Sequence, residues 1–240
     1  MGTRQTPITL TSGAGTALFG AAGIAVGLGF AALAAVRRNR PIHSVGTVVS
    51  GRLVIDAPGT TGSALFDAVG ETPLIARLSR SASWPVQLPD IMGLALRIPG
   101  GGHSGGPADL LFASTGTGRL TRYMLQLRTS TASGPLTTMF PLVGSQGNIV
   151  FRLDPDRDPE SRHRYQLSCS RNSGPWSVLG GVSLEPSREP TQRSNDPAGP
   201  DDPELRFRPV AQPPTGLSTP AWLRGVRGPA YAISRRVWHA

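Results

Sequence analysis

Beyond residue 40 the apolar side chains come in short runs, and several of those runs alternate with polar or small neighbours. Leu94-Ala95-Leu96-Arg97-Ile98 and Val150-Phe151-Arg152-Leu153 repeat with period two, which puts one set of side chains on a single face of an extended strand. Runs of this kind, bounded by Gly, Pro, Ser and Asp, predict strands at 45–54, 74–79, 93–98, 109–114, 148–154, 163–170, 177–184 and 204–209. Eight such strands with no strong helix between them predict a mainly β member of the α+β class, its strands closed into an antiparallel eight-stranded β-barrel.

Three stretches interrupt the alternation. The glycine-rich run 100–107 lacks the Lys-Ser/Thr of a phosphate-cradling loop and reads as a hairpin connection. Residues 116–147 are expected to wrap the barrel with some helix, and 186–203, dense in Pro, Asp, Arg and Ser, to form a surface loop. From Pro220 onward Trp222, Leu223, Val226, Tyr231, Ile233, Val237 and Trp238 interleave with Arg, and Pro229 suits the first turn of a final helix.

The N-terminal segment has a different pattern. Residues 17–36 are uncharged and rich in Ala, Gly and Leu, and Arg37, Arg38 and Arg40 follow. Their length suffices to span a bilayer as a helix, with the downstream chain on the cytoplasmic side. Gly23 and Gly27 give the GxxxG spacing of closely packed helices, while the five Gly between positions 15 and 29 weaken the helix. A cleaved signal is disfavoured because the basic cluster follows the apolar run. The chain therefore divides into a tail and apolar helix, 1–39, and a barrel domain with its C-terminal helix, 40–240. The expected location is cytoplasmic, with membrane association through residues 17–36 if they insert.

Composition narrows the function classes. The 240 residues suit one substantial core. The net charge of +9 comes from 24 basic residues that are all Arg, alongside 30 Gly and 23 Pro. That bias matches a GC-rich bacterial genome, so no nucleic-acid partner is inferred from charge. Cys169 is alone and can form no intrachain disulfide, and His43, His103, His163 and His239 show no metal-ligand spacing. Within Tyr165-Gln-Leu-Ser-Cys169 the thiol has the place of a small buried residue.

Five motifs remain. They are Arg40-Pro-Ile-His43-Ser-Val-Gly46, Thr72-Pro73-Leu74-Ile75-Ala76-Arg77-Leu78-Ser79, Asp90-Ile-Met-Gly93-Leu-Ala95-Leu-Arg97-Ile98, Asp109-Leu110-Leu111 and Arg227-Gly-Pro-Ala-Tyr231. In type, order and spacing they resemble the haem catalase superfamily, and the span from Arg40 to Ala240 is closer to its shorter, catalase-related peroxidases. The resemblance implies a catalase-like barrel, haem b with its iron, and a C-terminal helix carrying Tyr231 as proximal ligand. It also offers a second place for the N-terminal helix, docked on the barrel or on another subunit of a homo-oligomer.

The residues give these roles a physical basis. A phenol titrates near pH 10, so a phenolate ligand needs the ferric ion and a nearby cation. Arg227 lies one helical turn before Tyr231 and stays charged. His43 matches the distal imidazole that moves a proton during peroxide cleavage, and Ser79 matches the hydroxyl that orients it if the two segments are adjacent. Arg40 and Arg77 match the partners of the haem propionates, whose charges need bidentate cations when buried. Asp90 and Asp109 read as fold determinants, one at a strand entry and one paired with a local Arg.

One position departs from the family pattern. Where catalases continue Asp-Leu-Val with Gly-Asn-Asn, this chain has Phe112-Ala113-Ser114, and Ala113 donates no hydrogen bond to peroxide. Ser114 could replace it only if the backbone shifted by one residue. The sequence thus points to a haem-dependent peroxidase acting with an electron donor on hydrogen peroxide or an organic or lipid hydroperoxide. A non-catalytic haem carrier or sensor is the alternative, and a hydrolase such as a phosphodiesterase the third, although no Ser-His-Asp order or carboxylate cluster favours it.

Overall fold

The computed structural model describes residues 45–81, 87–158, 163–185 and 207–223, all within the unit Pro41–Ala240. Ten strands follow in order: β1 (Val45–Ile55), β2 (Gly70–Arg80), β3 (Asp90–Ile98), β4 (Ala108–Ser114), β5 (Leu127–Arg128), β6 (Leu136–Thr137), β7 (Leu142–Gly144), β8 (Gly147–Pro155), β9 (Arg164–Arg171) and β10 (Trp176–Leu184). The sheet runs β2-β1-β10-β9-β8-β6-β4-β3, and β3 pairs back onto β2, closing an eight-stranded ring in which every ladder is antiparallel. Closure leaves the ring without an open edge. β5 extends β3 and β7 extends β8 outside the ring.

Seven of the expected strands coincide with ring strands, and the eighth does not. The described part of 204–209 is loop and turn. The missing stave is instead β6, inside the stretch 116–147 that was expected to wrap the barrel. That stretch contains little helix, a single 3-10 turn at Thr121–Tyr123. β6 is too short to show an alternation, so only its pairing with β4 and β8 identifies it.

The core is the barrel interior, and every ring strand contributes to it. Leu53 and Ile55 come from β1, Leu74 and Ala76 from β2, Leu94 and Leu96 from β3, Leu110 and Phe112 from β4, Leu136 from β6, Phe151 and Leu153 from β8, Tyr165 and Leu167 from β9, and Val182 and Leu184 from β10. Each fully buried Leu or Phe stabilises the fold by roughly 1.5–3 kcal/mol. One end is stoppered by a helical turn, Ala64–Asp67, whose Phe66 lies 4.5 Å from Phe151 between ring centroids. Asp67 fastens this turn by accepting hydrogen bonds from the Thr61 amide at 2.7 Å, the Thr61 hydroxyl at 2.9 Å and the Gly62 amide at 2.7 Å.

Where β10 meets β1, the ladder to β9 skips a residue between Val178 and Gly180. Gly180 has φ +154, and a Cβ there would lie 2.0 Å from the Val54 carbonyl oxygen. Only glycine allows the two strands to approach so closely at this bulge.

Among the described residues no helix is long and apolar enough to cross a membrane. Residues 17–36, the loop 186–203 and the expected C-terminal helix lie outside the described residues.

Candidate functional site

Strand alternation divides β1–β4 into an inner and an outer face. On β2, Leu74, Ala76 and Leu78 pack on the core, so Ile75, Arg77 and Ser79 face outward. On β3, Met92, Leu94, Leu96 and Ile98 point inward, leaving Gly93, Ala95 and Arg97 outside. On β4 the outward set is Asp109, Leu111 and Ala113.

The ladders align these outward residues in rows. Gly46, Ser79, Gly93, Ala113 and Thr137 form one row across five strands. Val48, Arg77, Ala95 and Leu111 form the next, and Ser50, Ile75, Arg97 and Asp109 the third. Motif residues from three separate segments, Arg77 with Ser79, Gly93 with Ala95 and Arg97, and Asp109, therefore occupy one continuous outer wall. At its centre Gly93, Ala95 and Ala113 project nothing longer than a methyl group, giving a flat surface with a guanidinium and a hydroxyl beside it.

Both borders of the wall are fixed by polar contacts. At one, Arg97 Nε and Nη2 donate to the two oxygens of Asp109, each at 2.8 Å, and the Arg97 guanidinium lies 5.0 Å from the Phe207 ring centroid. The Asp109 carboxylate, bonded to the guanidinium, raises the Arg97 pKa above its ordinary value. The Arg208 amide also donates to Asp109, and the Asp109 amide donates to the Gln212 carbonyl at 2.7 Å. The C-terminal segment is thereby held at this border.

At the other border Thr137 donates to the Arg122 carbonyl at 3.0 Å and shares a 2.8 Å hydrogen bond with the Thr115 hydroxyl. Arg122 donates to Ser170 Oγ at 2.6 Å, and its burial lowers its pKa from the ordinary value. The Trp176 ring lies between Arg122 and Arg152, with guanidinium-to-centroid distances of 4.4 and 4.5 Å. The indole Nε1 donates to the Thr117 carbonyl at 3.0 Å. This clamp presses residues 116–124 onto the outside of β8–β10. It is absent from the sequence reading because its members are far apart and follow no motif.

Of the sequence-derived site residues, the structure places Arg77 and Ser79 on the wall, one row apart. Ser79 Oγ lies 3.4 Å from the Gly93 carbonyl. Ser79 is paired with Gly46, next to the first residue of β1, so its segment lies beside the start of the strand that follows His43. Arg40, His43, Arg227 and Tyr231 lie outside the described residues. Asp90 and Asp109 have the structural roles expected of them. Asp90 opens β3, accepts from the Ile91 amide at 2.7 Å and lies 3.8 Å from Arg80 Nε.

Ser114 does not replace the donor missing at Ala113. The β3–β4 ladder runs without a shift, so Ser114 points into the barrel. Its buried hydroxyl donates to the Gln126 carbonyl at 2.6 Å and accepts from the Met92 amide at 3.0 Å. The side chains that flank Ser79 and Arg77 on the wall, Ala113, Ala95 and Leu111, contain no polar atom; period-two extension of the motifs would have assigned all of them to this face.

The donor set agrees with the haem implied by the resemblance as far as the described residues extend: a flat, small-residue wall for a planar ring, one cation for a carboxylate and one hydroxyl. Among the described residues no group of three or more His, Cys, Asp or Glu forms a metal cluster.

No protein-family model and no curated protein matches the sequence. Solved structures share the fold, among them two catalases. A bacterial catalase superposes with a TM-score of 0.50 at 13% identity, over 81% of this chain and 59% of its own. A fungal catalase superposes with a TM-score of 0.50 at 14% identity, over 79% of this chain and 57% of its own. The chain thus spans less than two thirds of the length of either catalase. The eight-stranded ring described above is a catalase-like barrel.

Proposed function

We propose that this protein is a haem-dependent peroxidase of the shorter, catalase-related type, with haem b held against the outer wall of β1–β4. The observation that carries this reading is the convergence of Arg77, Ser79, Gly93, Ala95 and Asp109 on one face. Those residues come from three motifs that the resemblance had linked only by their order. Arg40 and Arg77 would offset the propionate charges, while Tyr231, with Arg227 four residues before it in the sequence, would hold the iron as a phenolate.

When bound, haem supplies the redox-active iron at which a peroxide O–O bond is broken. His43 takes the proton from the hydroperoxide and returns it to the departing oxygen, and the Ser79 hydroxyl holds the imidazole in orientation. The balanced reaction is ROOH plus two equivalents of a reducing phenol-type donor, giving ROH, water and two donor radicals. With a methyl at Ala113 and apolar neighbours at Ala95 and Leu111, an organic or lipid hydroperoxide suits the wall better than hydrogen peroxide does. A cytoplasmic or membrane-proximal location and a homo-oligomer belong to the same proposal.

Titration of the purified chain with haem is the test. An absorbance band in the Soret region should saturate at one haem per chain, and Tyr231→Phe should shift or weaken it. A full chain that binds no haem overturns the reading. The second reading, a haem carrier or sensor without turnover, is favoured by the missing donor at Ala113. It predicts the same haem spectrum but no oxidation of a phenolic donor by cumene hydroperoxide, and no effect of His43→Ala on that assay.

A further inference from the structure

In the other half of the ring, a cavity of about 360 Å³ opens at one mouth of the barrel between β9, β10 and the loop after β1. Its size lies within the range of small-molecule sites. Pro58, Ile149, Pro175 and Leu179 supply apolar wall, while Thr60 and Ser177 place hydroxyls at the margin. None of these residues belongs to the β1–β4 wall.

The cavity also contains one cation, Arg171. Its Nη1 donates to Gln146 Oε1 at 2.6 Å, and its Nη2 donates to the carbonyl and the hydroxyl of Thr60. All of these acceptors are neutral, and no carboxylate among the described residues forms an ion pair with the group. Its Nε is buried with no hydrogen-bond partner. The nearby carboxylate of Asp67 is already engaged by Thr61 and Gly62. A partly buried guanidinium that lacks both a counter-charge and an acceptor for one of its donors is incomplete as a structural group. A carboxylate bound in the cavity would supply the counter-charge.

We propose that this mouth cavity binds an aliphatic monocarboxylate, its charge on Arg171 and its chain on Pro58, Ile149, Pro175 and Leu179. A single guanidinium balances one negative charge, which selects a monocarboxylate over a phosphate ester. The apolar wall selects an alkyl chain over a small inorganic anion. Cys169 lines the same cavity and is the only cysteine in the chain. Its thiol therefore reports occupancy without ambiguity. The proposal is independent of haem, and either can fail without the other.

Hexanoate and its neutral counterpart hexanamide, titrated calorimetrically into the full chain, test it. Hexanoate should bind saturably and about tenfold or more tightly than hexanamide, as expected for a charge-assisted contact. It should also slow alkylation of Cys169 by iodoacetamide, and Arg171→Gln should remove its advantage over hexanamide while Arg171→Lys keeps part of it. Equal binding of the two probes, binding of neither, or hexanoate binding unchanged in Arg171→Gln overturns the proposal. The comparison of the two probes on the unmodified chain needs no variant, so a variant that fails to fold leaves the test standing.

Discussion

Arg97 and Asp109 face each other across the β3–β4 ladder and form a two-pronged ion pair, with both N–O distances 2.8 Å. The pair ties the barrel to the C-terminal segment, because the same carboxylate accepts the Arg208 amide and the same guanidinium lies over the Phe207 ring.

Asp109→Ala should therefore cost about 3 kcal/mol, since it removes the buried carboxylate that both the Arg97 guanidinium and the Arg208 amide bond. Denaturant unfolding measures the loss. Amide exchange should also rise in residues 207–212 ahead of the barrel strands. Because the shift raises the Arg97 pKa, its stabilising effect is complete below the guanidinium's unfolded value and is lost only as pH rises through the folded one. The pair should thus show no dependence on pH across the neutral range.

Ser79 and Ser114 should separate cleanly by assay. Ser114→Ala strips the Met92 amide of its acceptor inside the barrel and should cost about 1–3 kcal/mol in unfolding experiments. It should leave the haem spectrum unchanged. Ser79→Ala, on the outer wall, should lower the rate of reaction of the haem-loaded chain with peroxide.

Ala113→Asn places a donor in the row that contains Ser79 and Gly93. Stopped-flow measurement on the haem-loaded chain should show the reaction with hydrogen peroxide accelerate by about a hundredfold, the usual worth of one positioned donor. Unchanged rates would mean that Ala113 does not face the reacting peroxide.

Tyr165 provides a pH signature of the core itself. The residue is 3% exposed and donates to Thr131 Oγ1 at 3.0 Å, and burial pushes its phenol pKa up. Above pH ~10 the unfolded phenol releases its proton while the folded one retains it. The unfolded state then binds fewer protons, so stability falls with rising pH by roughly 1.4 kcal/mol per unit until the folded pKa is passed. Tyr165→Phe should remove this component, read as the difference between the two thermal-melt profiles from pH 9 to 12.

Much of the barrel could be read from alternation alone. Leu94, Leu96 and Ile98 announce β3, and Phe151 and Leu153 announce β8, because a half-buried strand must repeat with period two. Leu136 and Thr137 could not be read that way; two residues carry no period, and their place is set by partners distant in sequence. On the wall, the motifs singled out Arg77, Ser79 and Ala113, but only the ladders show that they share one face. The fate of Ser114 was not, since only an unbroken β3–β4 register fixes the side to which it points. The Trp176 clamp was equally invisible, because nothing local distinguishes Arg122 and Arg152 from the other arginines.

The two-residue stave has a mechanical consequence. β6 contributes two residue pairs to each neighbouring ladder, Leu136 with Ser114 and Leu153, and Thr137 with Ala113 and Arg152, whereas β1 and β2 are laced along their whole length from Val45 with Arg80 to Ile55 with Gly70. The ladder is shortest there, although Leu136 and Thr137 are fully buried. A barrel that parts at this seam keeps β1, β2, β3 and β4 together as one panel, so the surface bearing Arg77 and Ser79 outlasts the ring that built it.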